Sequence, residues 1–563
     1  MNRAILHADR WAEPPLAKKF GVMNAGILPL ARYERDLAKA AALRPDSLRV
    51  DLSIGKKVGW KAQMVSGTPD ALVYDWKELD RLSDALASQG VRPYYAFCYM
   101  PRPLQQSGNW RSPASDAPAW REANRAFAEH HRGRHAVLEA YNEPDFREFF
   151  VGTREEYLAL YEGAALGMRD GDPEGVVGGP ALAFSMDWVD PFLDHVRDRR
   201  LPLDFFSFHA IGVPLQDPPS RQVALDRLRT IRSALAARPG FETTEIHLNE
   251  YHPYKNTAEG LERPTDSAAL ATELLEDFVA FLEEDDLTLV HWAQLMDSGF
   301  GGETFGLLDE EGRVRPAFYA FAAYDALPVR RLALDVDAPL AGIAGGDVGK
   351  GGLLLWNRSA VAAPVAIEGI PHPFEEFRID DHAPSEPLPE APGLASVARH
   401  GAEAWSTTLG PKEILYLRWD DGASATPCSA PLSRTHYRAS EGYGVFDRRS
   451  SSAHLRSALV GATLESLEDR VGLRVEADAG ALALRVDYVV GEGYARSLVI
   501  RDGGEMPVPP WGTRRRPTET LDRPLRGGGT IELAAHAPEG WRGRATLSFW
   551  SEARALYALE DAP

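Results

Sequence analysis

The chain reads as an α/β protein: a (β/α)8 TIM barrel, then a β-sandwich domain, then a second C-terminal all-β domain. Three observations predict this. From Phe20 to about Leu327, short β-rich runs alternate eight times with longer runs of helical spacing. After Leu327 the helical spacing stops, and alternating runs such as GGLLLWNRS and EILYLRW follow, divided by Gly and Pro turns. At 563 residues the chain also exceeds the ~250–300 residues at which a single core stops growing.

The strands are expected at 20–24, 47–52, 92–98, 137–142, 176–179, 203–209, 245–250 and 287–292. Most are apolar nearly throughout, as parallel strands covered by helices must be. Helices are expected at 33–42, 75–89, 117–132, 154–169, 186–199, 221–237, 266–284 and 316–327. The second of these starts at an Asp cap and stops at Gly90. A doubly wound open sheet is the competing arrangement, but no G-x-G-x-x-G follows the first strand. The boundaries that follow are a barrel over 1–328, a β-sandwich over 329–420, a linker over 421–434 (DDGASATPCSAPLSR begins just before it) and a C-terminal β domain over 435–563.

Composition narrows the function classes. Apolar residues make up 44% and charged residues 26%, a globular balance. The net charge of −20 argues against nucleic acid and anionic membranes as partners, because both need a positive field. Two cysteines, Cys98 and Cys428, exclude a disulfide framework, and Cys98 in its apolar run reads as a buried free thiol. The opening residues lack the apolar core of a signal peptide and no run is long enough to span a membrane, so a cytoplasmic protein is expected. Oligomeric state is left open. No cofactor motif is present. No metal site is expected either, since His247 and His252 around Glu250 do not have zinc-ligand spacing.

In this barrel class, reactive groups sit at the C-terminal ends of strands. Strand four closes with EAYNEPD, placing Asn142 and Glu143 at the rim, and strand seven closes with IHLNEYHP, placing Glu250 there. The two strands lie on opposite sides of the mouth, so both carboxylates can address one ligand. Glycosidic bond cleavage needs such a pair, one carboxyl protonated and one ionised. A separation of ~5–5.5 Å gives retention and ~6.5–9.5 Å gives inversion.

Asn-Glu-Pro after strand four, with a Glu ending strand seven, resembles the clan A glycoside hydrolases. The runs DFFSFHAIG at 204–212 and GLLDEEGRVRPAFYAF at 306–321 are similar to the sixth-strand and eighth-loop signatures of glycoside hydrolase family 39, a family of β-xylosidases and α-L-iduronidases. The resemblance covers roughly residues 20–420, and departs at LNEYH, where the family pattern has Thr-Glu. It implies that Glu143 is the acid/base, Glu250 the nucleophile and Asn142 a contact to the sugar 2-hydroxyl. It also implies an exo-acting, β-xylosidase-like retaining hydrolase of oligosaccharides or glycosides. An endo-acting hydrolase or transglycosylase on the same barrel is one alternative, and a non-catalytic carbohydrate-binding protein is another.

Further substrate-binding candidates surround the pair. Arg49 on strand two is placed to hold Glu250 ionised. His209, ending strand six, can bond the nucleophile or a sugar hydroxyl, with a structural hydrogen bond as the plainer role. Trp292, ending strand eight, offers a sugar platform or ordinary packing. Tyr251 and His252 line the pocket or shape its loop, and the same choice applies to Trp60, Tyr99, Asp145 and Asp297. Glu139 reads as a structural acid one layer below Glu143. In the last domain, Trp511, Trp541 and Trp550 read as core aromatics before they read as carbohydrate platforms.

Overall fold

The computed structural model describes side chains over residues 1–419 apart from positions 17–18, 25–27, 41, 55–63, 212–219, 254–266, 298–304, 347–349, 372 and 381–404. The expected linker at 421–434, the C-terminal β domain at 435–563, Cys428 and Trp60 lie outside the described residues.

A ten-residue strand comes first, β1 (Asn2–Trp11). The barrel strands follow as β2 (Phe20–Asn24), β3 (Ser47–Asp51), β4 (Arg92–Phe97), β5 (Val137–Ala140), β6 (Val176–Leu182), β7 (Phe205–Ile211), β8 (Glu245–His252) and β9 (Leu287–Ala293). They close in the order β6-β7-β8-β9-β2-β3-β4-β5, every neighbour parallel. The helices are α1 (Leu30–Ala40), α2 (Lys77–Ser88), α3 (Ala117–His130), α4 (Arg154–Gly171), α5 (Val189–Arg199), α6 (Ser220–Ala236), α7 (Ala268–Leu282) and α8 (Pro316–Ala326). The eight units are those expected from the alternation.

The element ends show local chemistry. Asp116 caps α3 by accepting from the Ala119 N–H at 2.8 Å. Thr153 and Glu156 form a reciprocal capping box on α4. Helix α2 starts at Lys77, two residues beyond the expected cap, yet Asp75 Oδ1 still accepts from the Lys77 N–H at 3.2 Å. Strand β5 stops two residues earlier than expected because Tyr141 and Glu143 take φ of 78° and 45°, which no strand tolerates.

The barrel interior is filled in layers. Tyr94, Val137, Val176, Phe205 and Leu289 form an apolar floor. Above them lie His291, bonded to Ser47 Oγ at 2.8 Å, and the buried polar groups of the candidate site. Gly21 makes room for this layer, since a Cβ there would stand 2.4 Å from the His291 ring.

The second unit is one nine-stranded, largely antiparallel sheet. Its strands are β10 (Arg331–Val336), β11 (Leu340–Asp347), β12 (Lys350–Asn357), β13 (Ala363–Glu368), β14 (Phe374–Ile379), β15 (Ala398–His400), β16 (Ala404–Leu409) and β17 (Ile414–Asp420), with β1 among them. The order is β15-β14-β17-β12-β11-β10-β1-β13-β16. The sheet curls around its own core, which draws on strands from both ends, including Leu6, Leu355, Val365, Phe374 and Trp419. No strand was expected before Phe20, and residues 1–19 were counted with the barrel. Instead β1 pairs antiparallel with β10 and parallel with β13, because its alternating Ala4 and Leu6 complete the sheet's core.

Alternation gives this sheet a second apolar face. Leu355, Leu415 and Leu417 point into its own core, while Leu354, Trp356, Ile414 and Tyr416 join the barrel core. The Trp356 indole N–H also donates to Glu276 of α7, and Arg358 pairs with the same carboxylate. Among the described residues, no helix is long and apolar enough to cross a membrane.

Trp356 should therefore hold sheet and barrel together. Trp356→Ala is expected to destabilise the protein by about 3–5 kcal/mol in urea unfolding, and Trp356→Phe by less. A loss below about 0.5 kcal/mol, within the range of a surface change, would mean that the two units do not share a core.

Candidate active site

Strand alternation places the inward residues of β3, β5, β7 and β8 around one mouth. Arg49 of β3 is at its centre, with no exposed side-chain surface. Its Nε donates to Glu139 Oε2 at 2.8 Å, its Nη1 to Glu250 Oε1 at 2.6 Å and its Nη2 to Asn142 Oδ1 at 2.6 Å. The planar guanidinium thus joins three strands. Its neighbouring carboxylates hold Arg49 well above even its usual range, against the opposing effect of burial.

Glu139 lies a layer below, as expected of a structural acid. It accepts from Ser207 Oγ at 2.5 Å and Asn249 Nδ2 at 2.6 Å as well as from Arg49. Tyr94 OH accepts from Asn249 Nδ2 at 3.1 Å. On the other side Asn142 Nδ2 donates to Tyr99 OH at 2.9 Å, and Tyr99 OH donates to Asp51 Oδ2 at 3.4 Å. Asn142 is thereby fixed by two partners.

Glu143 and Glu250 meet across this network. Both are nearly buried, with side chains 12% and 11% exposed. His209 lies between them, its Nδ1 2.7 Å from Glu143 Oε1 and 3.7 Å from Glu250 Oε2. One oxygen of each carboxylate and the imidazole nitrogen all fall within 4.8 Å of one another. That spacing also suits a metal ion. An ion there would stand against the Arg49 guanidinium, and like charges in a buried site repel strongly.

The electrostatics follow from burial and charge. Burial pushes Glu250 above the usual carboxylate range; His209 and Arg49 pull it down, and Glu143 adds to the rise. Burial likewise holds His209 below the usual imidazole range, with Glu250 opposing that shift. A neutral imidazole can accept from a protonated Glu143 or donate to an ionised one. Its Nε2 is buried and makes no hydrogen bond among the described residues.

A bulge in β8 decides which residues face this site. Phe208 pairs with Leu248 and His209 with Glu250, so Asn249 is the extra residue. Asn249 and Glu250 consequently both reach the interior, which strict alternation forbids. Tyr251 then turns outward: its OH donates to Asp277 Oδ2 of α7 at 2.6 Å and its ring packs on Phe281. Tyr251, expected among the substrate-binding residues, therefore lies between strand and helix. Trp292 pairs with Tyr251 in the adjacent strand and shares its side. Only 1% exposed, Trp292 packs as wall and presents no sugar platform. His252 is buried between Trp292 and Phe305, where burial pushes it down to about 3.

The remaining candidates divide in the same way. Asp145 accepts from the Ala183, Phe184 and Ser185 N–H groups at 2.9, 2.7 and 2.6 Å, so it shapes the loop after β6. Asp297 takes two hydrogen bonds from Arg315 and one from the Gly306 N–H, and fixes the loop after β9. Cys98 is a buried free thiol, as expected. Sequence reading missed Ser207, Asn249, Tyr94 and Asp51 as supports of the site. Their signal was available in part, since each lies on or beside the inward face of a barrel strand.

Comparison with known proteins places this geometry. The family model described as "Glycosyl hydrolases family 39" matches residues 33–366, more than half of the chain. A β-xylosidase of Geobacillus stearothermophilus is 26% identical over 328 residues, covering 50% of this chain and 62% of that protein. A β-xylosidase of Caldicellulosiruptor saccharolyticus is 26% identical over 299 residues, covering 47% and 59%. The chain thus matches less than two thirds of the length of either curated relative. Among solved structures, a monomeric β-xylosidase from Caulobacter crescentus CB15 aligns with a TM-score of 0.59 at 19% identity, covering 75% of this chain and 99% of that one. A GH39 enzyme from Xanthomonas axonopodis pv. citri aligns with a TM-score of 0.58 at 20% identity, covering 74% and 97%. These two likenesses concern the fold. On the match of the family model, the chain belongs to glycosyl hydrolase family 39.

Proposed function

We propose that this protein is a retaining, exo-acting glycoside hydrolase of β-xylosidase type, with Glu143 as acid/base and Glu250 as nucleophile. The observation that carries the reading is the carboxylate pair within 4.8 Å, shared by one imidazole and backed by one buried guanidinium. That spacing fits direct attack by one carboxylate and leaves no room for a water between the pair, as inversion requires. The curated relatives named β-xylosidase support the choice of sugar.

In the proposed cycle, Glu250 attacks the anomeric carbon while Glu143 gives its proton to the departing oxygen. Water, deprotonated by Glu143, then releases the sugar from Glu250. Arg49 holds Oε1 of Glu250, which leaves Oε2 as the attacking atom. Asn142, fixed by Arg49 and Tyr99, is held to receive the 2-hydroxyl. His209, with Nδ1 2.7 Å from Glu143 Oε1, orients that carboxyl toward the departing oxygen. The same proposal includes a second β domain at 435–563 and a cytoplasmic location. The latter rests on two cysteines in 563 residues, one of them a buried thiol.

Three results are expected. Glu250→Ala should lower kcat on an aryl β-xyloside by on the order of 10⁴-fold or more. Azide should restore turnover and yield the α-glycosyl azide, and wild-type-like turnover without azide would remove the nucleophile assignment. Glu143→Ala should lose about 10²–10⁴-fold on alkyl glycosides, which need protonation, and far less on dinitrophenyl glycosides, which do not; equal losses on both would contradict the acid role. Because burial raises Glu250, the ionised nucleophile persists only above that raised value. The profile of kcat/KM should therefore fall, on acidification, through a midpoint above the ordinary carboxylate value of 4.5. A midpoint at or below 4.5 would count against Glu250 as the group that must be ionised.

A further inference from the structure

Beside Glu143, the rim carries a continuous run of aromatic rings, of which the proposed chemistry uses Tyr99 alone. Tyr99, which bonds Asn142, stacks on Phe149 with centroids 5.2 Å apart and planes 8° from parallel. Phe149 meets Phe146 edge-on at 5.5 Å, and Phe146 meets Phe184 edge-on at 5.1 Å. Trp110 flanks Tyr99 at 4.9 Å. Burial falls along this path: Tyr99 is fully buried, Phe149 and Phe146 are half-buried, and Phe184 is 41% exposed.

An exposed phenylalanine costs solvation, and Phe184 is one of only five large apolar side chains exposed among the described residues. It is also held in place. Asp145 accepts from the Phe184 N–H and from those of its two neighbours, tying the loop after β6 to the loop that carries Glu143, Phe146 and Phe149. The Phe146 N–H in turn bonds the Glu143 carbonyl at 3.1 Å. The rings therefore form a shelf, built on the loop that carries the proposed acid, that runs from the buried Tyr99 out to Phe184.

Direction gives the shelf its meaning. The acid protonates the bond to the leaving group, so the leaving group departs on the side of Glu143, away from Arg49 and Glu250. We propose that Phe146, Phe149 and Phe184 form a leaving-group subsite that selects a planar apolar aglycone, such as an aryl or arylalkyl alcohol, over a second sugar. A ring face can stack on a sugar as well as on an aryl group, but a second sugar also needs directed hydrogen bonds to its hydroxyls, which phenylalanine rings do not supply. This proposal rests on the hydrolase reading above.

The experiment compares kcat/KM for 2-phenylethyl, methyl and xylosyl leaving groups on one glycone, xylose unless a screen of aryl glycosides identifies another. The first two leave as simple alcohols, so the shelf rather than alcohol acidity sets their ratio. Wild-type protein should favour phenylethyl over both methyl and xylosyl by about tenfold. Phe184→Ala and Phe146→Ala should each lower the phenylethyl-to-methyl ratio by about three- to tenfold, the scale of one aromatic contact. Thermal melting confirms that both variants are folded, and exposed Phe184 is the safer of the two. An unchanged ratio in both variants would overturn the subsite, and so would a xylosyl preference that these substitutions abolish. If wild-type protein hydrolyses no glycoside at all, the hydrolase reading fails and the shelf falls with it. Hydrolysis without aglycone discrimination removes the shelf alone.

Discussion

One buried cation sets the terms for everything around it. Arg49 has no contact with water, and removing a guanidinium from water costs several kcal/mol unless every donor finds an acceptor. Glu139, Glu250 and Asn142 supply those acceptors from two other strands. The fork geometry of arginine fixes the angle between the groups as well as their distance, which a lysine ammonium cannot do. Strands β3, β5 and β8 are thereby locked at the end where the candidate chemistry lies, while the apolar floor below is indifferent to such detail.

The two carboxylates inherit different surroundings from this arrangement. Glu250 has the guanidinium on one oxygen, whereas Glu143 has the imidazole of His209. Glu143 also sits at a positive φ, a conformation that costs roughly 1–3 kcal/mol in a non-glycine residue and persists only where neighbours enforce it. The enforcing contacts are visible: Glu143 N–H bonds the Ala181 carbonyl, and Asp145 anchors the loop on the other side. Backbone strain is thus concentrated where the side chain must be aimed.

Most of the barrel could be read from the chain because its signals are local. Each strand is a short apolar run, each helix an amphipathic one, and the rim follows from where each strand stops. Glu143, Glu250, Asn142, Arg49 and His209 all converge: Arg49 and His209 line their strands, Glu250 enters through the bulge in β8, and Asn142 and Glu143 follow the end of β5. Tyr251 faces outward because the bulge at Asn249 shifts the alternation by one residue, and nothing in LNEYH announces it. Trp292 follows the plain alternation of its own strand, in which His291 faces inward. The supporting role of Glu139 was legible, but its partners Ser207 and Asn249 were not, since they belong to distant strands. Strand β1 carries a clear alternating pattern, yet its partners lie more than three hundred residues away and no periodicity encodes that pairing.

That last pairing has a consequence on the ribosome. At roughly 5–20 residues per second, β1 emerges about 15–65 s before β10 exists to receive it, and β13 follows later still. Throughout that interval the nascent segment carries an unpaired strand edge, the usual seed of intermolecular association. Its own charges, Arg3, His7, Asp9 and Arg10, interrupt the apolar positions and discourage capture by another copy. When β10 and β13 finally arrive, the strand is paired on both sides and fastens Asn2–Trp11 to the curled sheet beyond the completed barrel.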